Sequence, residues 1–291
     1  MTDQVKGVFK AAAIQMRSGT DPERNIAVLR DMVRQAADRG ADYIQTPEMT
    51  GVLARSRKDL LSVIGDEANC PVVAAACELA ADHQVHLHIG STAIALGEGK
   101  VANRAFLFAP NGDLVATYDK IHMFDVDLDN GESWRESNTY RPGENAVTVE
   151  LPFAKLGLAI CYDLRFPELF RREAVDGANV LTAPAAFTRQ TGEAHWHVLI
   201  RARAIENGAF VIAAAQGGKH EDGRETYGHS LIVDPWGRIL AEADNDEPGL
   251  IMAEIDSAKS AEARGKIPNL NNSRPFELAT TAGASAHSVT A

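Results

Sequence analysis

The 291-residue chain has no excess of basic side chains: 29 Lys and Arg stand against 40 Asp and Glu, for a formal net charge of -11. Phosphate backbones are bound by clustered Lys and Arg, so this balance argues against a nucleic-acid partner. Cysteine is scarce and odd in number, with Cys70, Cys77 and Cys161 showing no paired spacing. That excludes a disulfide framework and fits reduced thiols. No apolar run approaches the length of a membrane span, and the opening segment has no apolar signal region. A cytoplasmic location is therefore the expectation. Internal repeats and low-complexity blocks are absent as well. Gly90 and Gly217-Gly218 lack the spacing of a nucleotide-binding loop, so no cofactor is expected.

What is present is an ordinary globular composition, 45% hydrophobic and 24% charged, arranged as alternating strand-like and helix-like segments. Residues 9–15 read as a strand. Asp21-Pro22 follows as an N-cap and first-turn proline, then Ile26, Leu29, Val33 and Ala36 at helical spacing, closed by Gly40. Strands are expected at 41–45 and 85–91, with a helix at 71–83 between them. Asn111-Gly112 marks a hairpin joining 103–108 to 114–118. Strands follow at 147–151, 156–160, 179–183, 210–215, 229–233, 238–243 and 250–255, and helices at 167–175 and 194–207. Too many strands lie in hairpins for a purely parallel sheet, so the pattern suggests one α/β domain with two sheets. That domain is expected to span 1–278. The small polar residues of 279–291 read as a disordered tail.

The run Gly157-Leu-Ala-Ile-Cys161-Tyr-Asp-Leu-Arg-Phe-Pro-Glu168 carries the most chemistry. A strand ends on a cysteine and a helix begins near Pro167. Such an elbow projects one side chain above the sheet edge and aims backbone N–H groups and the helix dipole at it. For a thiol this predicts a lowered pKa and a nucleophilic thiolate. On the elbow alone, a buried packing thiol is an equal reading. Glu48 and Lys120 each end another strand, and active sites of open α/β sheets gather at strand ends. Together the three side chains would divide the work of acyl transfer. Glu48 would take the proton from Cys161 and later activate water. Lys120 would hold the oxyanion beside a backbone N–H of the elbow, next to Tyr162. Cys161 would attack a carbonyl and form a thioester.

Other clusters are weaker. His86 and His88 would share a strand face with His83 nearby, but a zinc site lacks its third and fourth ligands at supportive spacing, and no metal is expected. His195 and His197 lie two apart on a helix and so point to different faces. A Cys–His hydrolase using His195 or His229 is made less attractive by the Glu48–Lys120 pair.

With these motifs in view, the chain resembles the nitrilase superfamily of carbon–nitrogen hydrolases over about 10–278. Thr46-Pro-Glu48-Met looks like the family's glutamate motif, and Gly157 to Glu168 like its cysteine motif. Tyr118-Asp-Lys120-Ile-His122 looks like the lysine motif, with Asp119 where Arg or Lys is more usual. Glu136 in Trp134-Arg-Glu136-Ser matches the family's second glutamate, which would orient Lys120 and substrate. Pro184-Ala-Ala-Phe187, Thr191 to Trp196 and Arg201 to Glu206 look like the Nit branch, and Ala213 to His220 with Tyr227 to Ser230 sit closer to its deaminated-glutathione amidases than to its omega-amidases.

The resemblance implies a four-layer αββα sandwich and a homodimer built through the helices after Cys161 and at 194–207. It also implies hydrolysis of a linear amide of a small acidic substrate. Deaminated glutathione is the leading candidate; α-ketoglutaramate and N-carbamoyl amides are alternatives. A catalytically silent binding protein on the same fold is the rival from another class. Deaminated glutathione has carboxylates at both ends, so Arg165, Arg189 and His195 are candidate substrate contacts. For Arg165, an ion pair with Glu168 is an equal alternative.

Overall fold

Strand Val8–Gln15 shows how this sequence builds layers. Its Ala11 and Ala13 face one way and its Ala12 and Ile14 the other, and all four are fully buried. A strand covered on both faces reads as a continuous apolar run, unlike the alternating pattern of a half-solvated one. The structure is a computed structural model that describes residues 7–128, 131 and 133–280.

Among the described residues, two six-stranded mixed sheets lie face to face. The first orders its strands Gly249–Asp256, Val8–Gln15, Tyr43–Gln45, His86–Ala95, Val101–Phe108 and Leu114–Asp119. Tyr43 sits in parallel register with both Ala11 and His86. The second sheet orders Ile239–Glu242, Leu231–Val233, Phe210–Ala213, Val180–Thr182, Lys155–Leu158 and Val147–Glu150. Ala11, Ala13, Tyr43, Leu107 and Tyr118 of the first sheet join Leu158, Leu181 and Val211 of the second in one core.

Helices cover the outer faces and complete four layers, αββα. Pro22–Asp38 begins on Asp21, whose side chain accepts from the N–H groups of Glu23 and Arg24, satisfying two orphan donors of the first turn. Its Leu29 and Val33 pack with Val72 and Leu79 of helix Pro71–His83 against Ile14, Ile44 and Phe106. On the other side, Phe170 of Pro167–Val175 and Trp196, Ile200 and Ala204 of Arg189–Asn207 bury against the second sheet. Burying each such large apolar side chain contributes about 1.5–3 kcal/mol.

Several boundaries differ from expectation. The helix expected at 194–207 starts at Arg189, because the Thr188 side chain caps it by accepting from the Thr191 N–H. Arg189 is thus a first-turn helical residue and not part of a loop. The strand expected from His229 begins at Leu231, because His229 holds φ +56°. A five-residue 3-10 helix, Cys161–Arg165, separates the cysteine strand from Pro167–Val175. Helices Arg57–Val63 and Ala258–Lys266 and the hairpin of Asp125–Asp127 with Ser133–Arg135 were not anticipated. Residues 281–291 of the expected tail lie outside the described residues.

Candidate active site

Three connections between strand and loop converge. Glu48 follows Tyr43–Gln45 and Lys120 follows Leu114–Asp119, both in the first sheet, while Cys161 follows Lys155–Leu158 in the second. All three side chains are buried and line one cavity of about 280 Å³.

Local chemistry fixes each one. Met49, directly after Glu48, holds φ +58°. Its N–H donates to Ser91 Oγ at 3.0 Å, and Gln216 Nε2 donates to the Glu48 carbonyl at 3.0 Å. Gly90 is obligatory beside this turn, since a Cβ there would lie 2.0 Å from the Thr46 carbonyl oxygen. Lys120 is held by its N–H to the Asn103 carbonyl at 2.9 Å. Cys161 itself has φ +51°, a region disfavoured for a residue with a Cβ and most often retained at functional sites. Its N–H donates to the Pro184 carbonyl at 2.9 Å.

Asp163 ties the cysteine loop to the lysine loop. Its Oδ2 accepts from Tyr118 Oη at 2.7 Å and the Ile160 N–H at 2.9 Å, and its Oδ1 accepts from the His122 N–H at 3.0 Å. The His122 ring nitrogen Nδ1 lies 2.7 Å from the same Oδ1. Asp119, the departure from the lysine motif, is engaged elsewhere: Arg104 grips it bidentately at 2.6 and 2.8 Å.

Lys120 Nζ donates to Glu48 Oε1 at 3.0 Å and to both Glu136 oxygens at 3.0 and 2.9 Å. An ammonium has three donors. With one on Glu48 and one shared across the Glu136 fork, one is left for a developing oxyanion. Asn103 Nδ2 donates to Glu48 Oε1 at 2.8 Å, and the Ala186 N–H donates to Glu48 Oε2 at 3.0 Å.

The electrostatics follow. Burial alone would raise the Glu48 carboxyl, yet the Lys120 charge and hydrogen bonds from Cys161, Lys120 and Asn103 hold it below the usual carboxylate range. Burial opposes the charge on Lys120, but Glu136 and Glu48 overcome it and keep the ammonium protonated well above its ordinary value. Burial, followed by the Glu48 charge, pushes the Cys161 thiol well up despite Lys120. This corrects the lowered thiol pKa expected from the elbow: the resting pair is thiol and carboxylate, and the thiolate must form as the proton moves to Glu48.

The remaining candidates separate. Glu136 and Tyr162 line the cavity with the trio. Tyr162 is the second residue of its 3-10 helix, so its N–H has no acceptor within the helix. Arg165 also lines the cavity, with its guanidinium 5.9 Å from the Tyr162 ring and 5.4 Å from the Phe187 ring. Among the described residues it forms no ion pair, so the alternative partner Glu168 is not engaged. His195 is exposed and stays off the cavity wall; its Nδ1 is 3.2 Å from Arg165 Nη1. Arg189 is also off the wall, reaching Glu193 at 3.2 Å and Asp246 at 3.9 Å. Asn103, Trp134, Arg55 and Arg224 were missed. Asn103 carried one readable signal, a buried-type amide in a mostly apolar strand.

His86 and His88 hold buried structural places. His88 pairs with Tyr43 Oη at 2.7 Å, and burial pushes its imidazole down to about 3. His197, His229 and Glu242 gather within 4.8 Å of one another, away from the cavity; His197 Nε2 lies 2.8 Å from Glu242 Oε1.

Residues 10–265 match the carbon-nitrogen hydrolase family. A deaminated glutathione amidase of Synechocystis sp. is 40% identical over 273 residues, covering 91% of this chain and 97% of that protein. The C. elegans NitFhit protein superposes with a TM-score of 0.85 at 32% identity, covering 93% of this chain and 66% of that longer one. An amidase from Nesterenkonia sp. AN1, solved with acrylamide added at its active site cysteine, superposes with a TM-score of 0.75 at 25% identity, covering 89% of this chain and 98% of that one.

Proposed function

The chain belongs to the carbon–nitrogen hydrolase family, and from that premise we propose an amidase that cleaves a linear, non-peptide amide of a small acidic substrate, with deaminated glutathione as the specific candidate. The observation that carries this reading is the buried Glu48–Lys120–Cys161 cluster, with Lys120 Nζ 3.0 Å from Glu48 Oε1 and Cys161 lining the same cavity as both. The candidate's name comes from relatives such as the Synechocystis amidase.

In the first half-reaction Sγ of Cys161 bonds to the amide carbon while its proton passes to Glu48. The carbonyl oxygen becomes an oxyanion held by Lys120 Nζ and the Tyr162 N–H. Glu48 returns the proton to the leaving nitrogen, the C–N bond breaks and a thioester remains. In the second half-reaction water attacks the thioester and gives its proton to Glu48. Collapse expels the sulfur, which recovers that proton, and the acid leaves. Glu136 keeps Lys120 charged and in place. Arg165 offers a carboxylate of the substrate an uncompensated guanidinium beside the sulfur.

The pH profile tests this assignment. Glu48 is charged below the usual range, and both Lys120 and Cys161 keep their protons above theirs. None of the three titrates between the ordinary carboxyl value of 4.5 and the ordinary thiol value of 9.0. Release of amine from acidic amides should proceed with kcat/KM flat across that window. A bell centred near neutrality would point to an imidazole base and sink the assignment.

The same reading includes a homodimer formed through Pro167–Val175 and Arg189–Asn207, supported by exposed Val175, Val198 and Ile205 on those helices. Sedimentation should give twice the 31.3 kDa chain mass; a monomer at micromolar concentration would overturn it. No helix among the described residues is long and apolar enough to cross a membrane. The three free cysteines support a reducing, cytoplasmic setting.

A further inference from the structure

The cavity has a charge opposite to that of the chain. Its lining includes Arg55, Lys120, Arg135, Arg165 and Arg224 against Glu48 and Glu136, in a protein of net charge -11. Both lining carboxylates are engaged by Lys120. Arg135 is neutralised by Asp127, whose two carboxylate oxygens accept from its Nη2 at 2.9 and 2.8 Å. The remaining guanidinium groups stand in two places, built on different elements. One is Arg165, on the cysteine loop. The other is Arg55 with Arg224, whose guanidinium carbons lie 5.5 and 4.5 Å from the Trp134 ring.

Arg224 is held in an unsatisfied state. Its Nε is buried with no hydrogen-bond partner among the described residues. Its ion pair with Asp222 Oδ2, at 3.6 Å, is too long for a hydrogen bond. A buried, desolvated N–H without an acceptor costs about 1–3 kcal/mol unless something supplies one. Arg55 is exposed and makes no ion pair among the described residues. Stacking on an indole orients a guanidinium and leaves its planar edge open to a bidentate acceptor.

We infer that Arg224 and Arg55, on the Trp134 platform, form a second carboxylate subsite distinct from Arg165, so that the cavity selects amides carrying a carboxylate at both ends. The inference rests on the amidase reading above and sharpens it. An ω-amide that releases ammonia has one carboxylate and leaves this subsite empty. A substrate whose leaving amine carries its own carboxylate fills both.

The test compares two substrates of one shape: an α-ketoglutaryl amide of a short peptide with a free C-terminal carboxylate, and the same compound capped as the carboxamide. The wild type should prefer the free acid, and Arg224→Gln should lower the ratio of the two kcat/KM values by about 10- to 100-fold, the loss of a charge-assisted hydrogen-bond pair. Arg224→Lys should recover part of the ratio. Arg55→Gln, at an exposed position, should lower it in the same direction and serves should Arg224→Gln fail to fold. A ratio unchanged in both variants overturns the subsite while leaving the amidase intact. A wild type inert toward both amides removes the amidase reading instead, and the subsite with it.

Discussion

Replacing Cys161 with alanine should abolish turnover, with kcat reduced by about 10⁴-fold or more, as expected when a nucleophile whose partners act as a unit is removed. The thiol is buried in the same cavity as Glu48, so the substitution removes a small side chain from a site whose carboxylate keeps Lys120, Asn103 and the Ala186 N–H. Folding should survive, and circular dichroism should match the wild type. Rapid quenching of the wild type with substrate should reveal the acyl mass on the peptide containing Cys161, absent from the variant. Residual turnover within tenfold of the wild type, or an acyl group on Cys70 or Cys77, would sink the proposed mechanism.

Lys120→Met should be the more damaging change, because two properties fail together. The ammonium is 2% exposed and lies between Glu48 and Glu136, at 6% and 12%. Without it two carboxylates face each other with no counter-charge. Breaking a buried ion pair from one side costs about 3–5 kcal/mol, and loss of an oxyanion donor costs about 10²–10³ in kcat. Urea melts should show the midpoint fall. Adding Glu136→Gln should restore much of the stability, since one uncompensated charge disappears, while activity stays lost. If the double variant is no more stable than Lys120→Met, the like-charge account is wrong.

These side chains were legible in unequal measure. The helix Pro71–His83 was readable to the residue, because Pro71 sets its start and the apolar spacing runs through to the end. The hairpin turn at Asn111-Gly112 was readable because Gly112 needs its φ of +85°. Convergence of Glu48, Lys120 and Cys161 could be anticipated, since each closes a strand. The state of the thiol could not. The helix-dipole argument used only neighbours in sequence, whereas burial and a charge from the other sheet decide the proton. Arg55, Trp134 and Arg224 were invisible for the same reason. They lie in three segments far apart in sequence, and no periodicity marks a position whose meaning comes from packing. Arg189 shows the converse: it was expected to meet a substrate carboxylate, but capping by Thr188 starts a helix that directs it to Glu193.

The division of the trio between the two sheets has a consequence for biosynthesis. Glu48 and Lys120 emerge first, on strands joined through His86–Ala95 and Val101–Phe108 of the same half of the chain. Cys161 belongs to a sheet whose central strand, Phe210–Ala213, arrives much later. Until the two sheets dock, the sulfur has no general base and the carboxylate has no proton to take. A nascent or partly unfolded chain therefore holds an unactivated thiol, and amide cleavage becomes a report that the whole sandwich has closed.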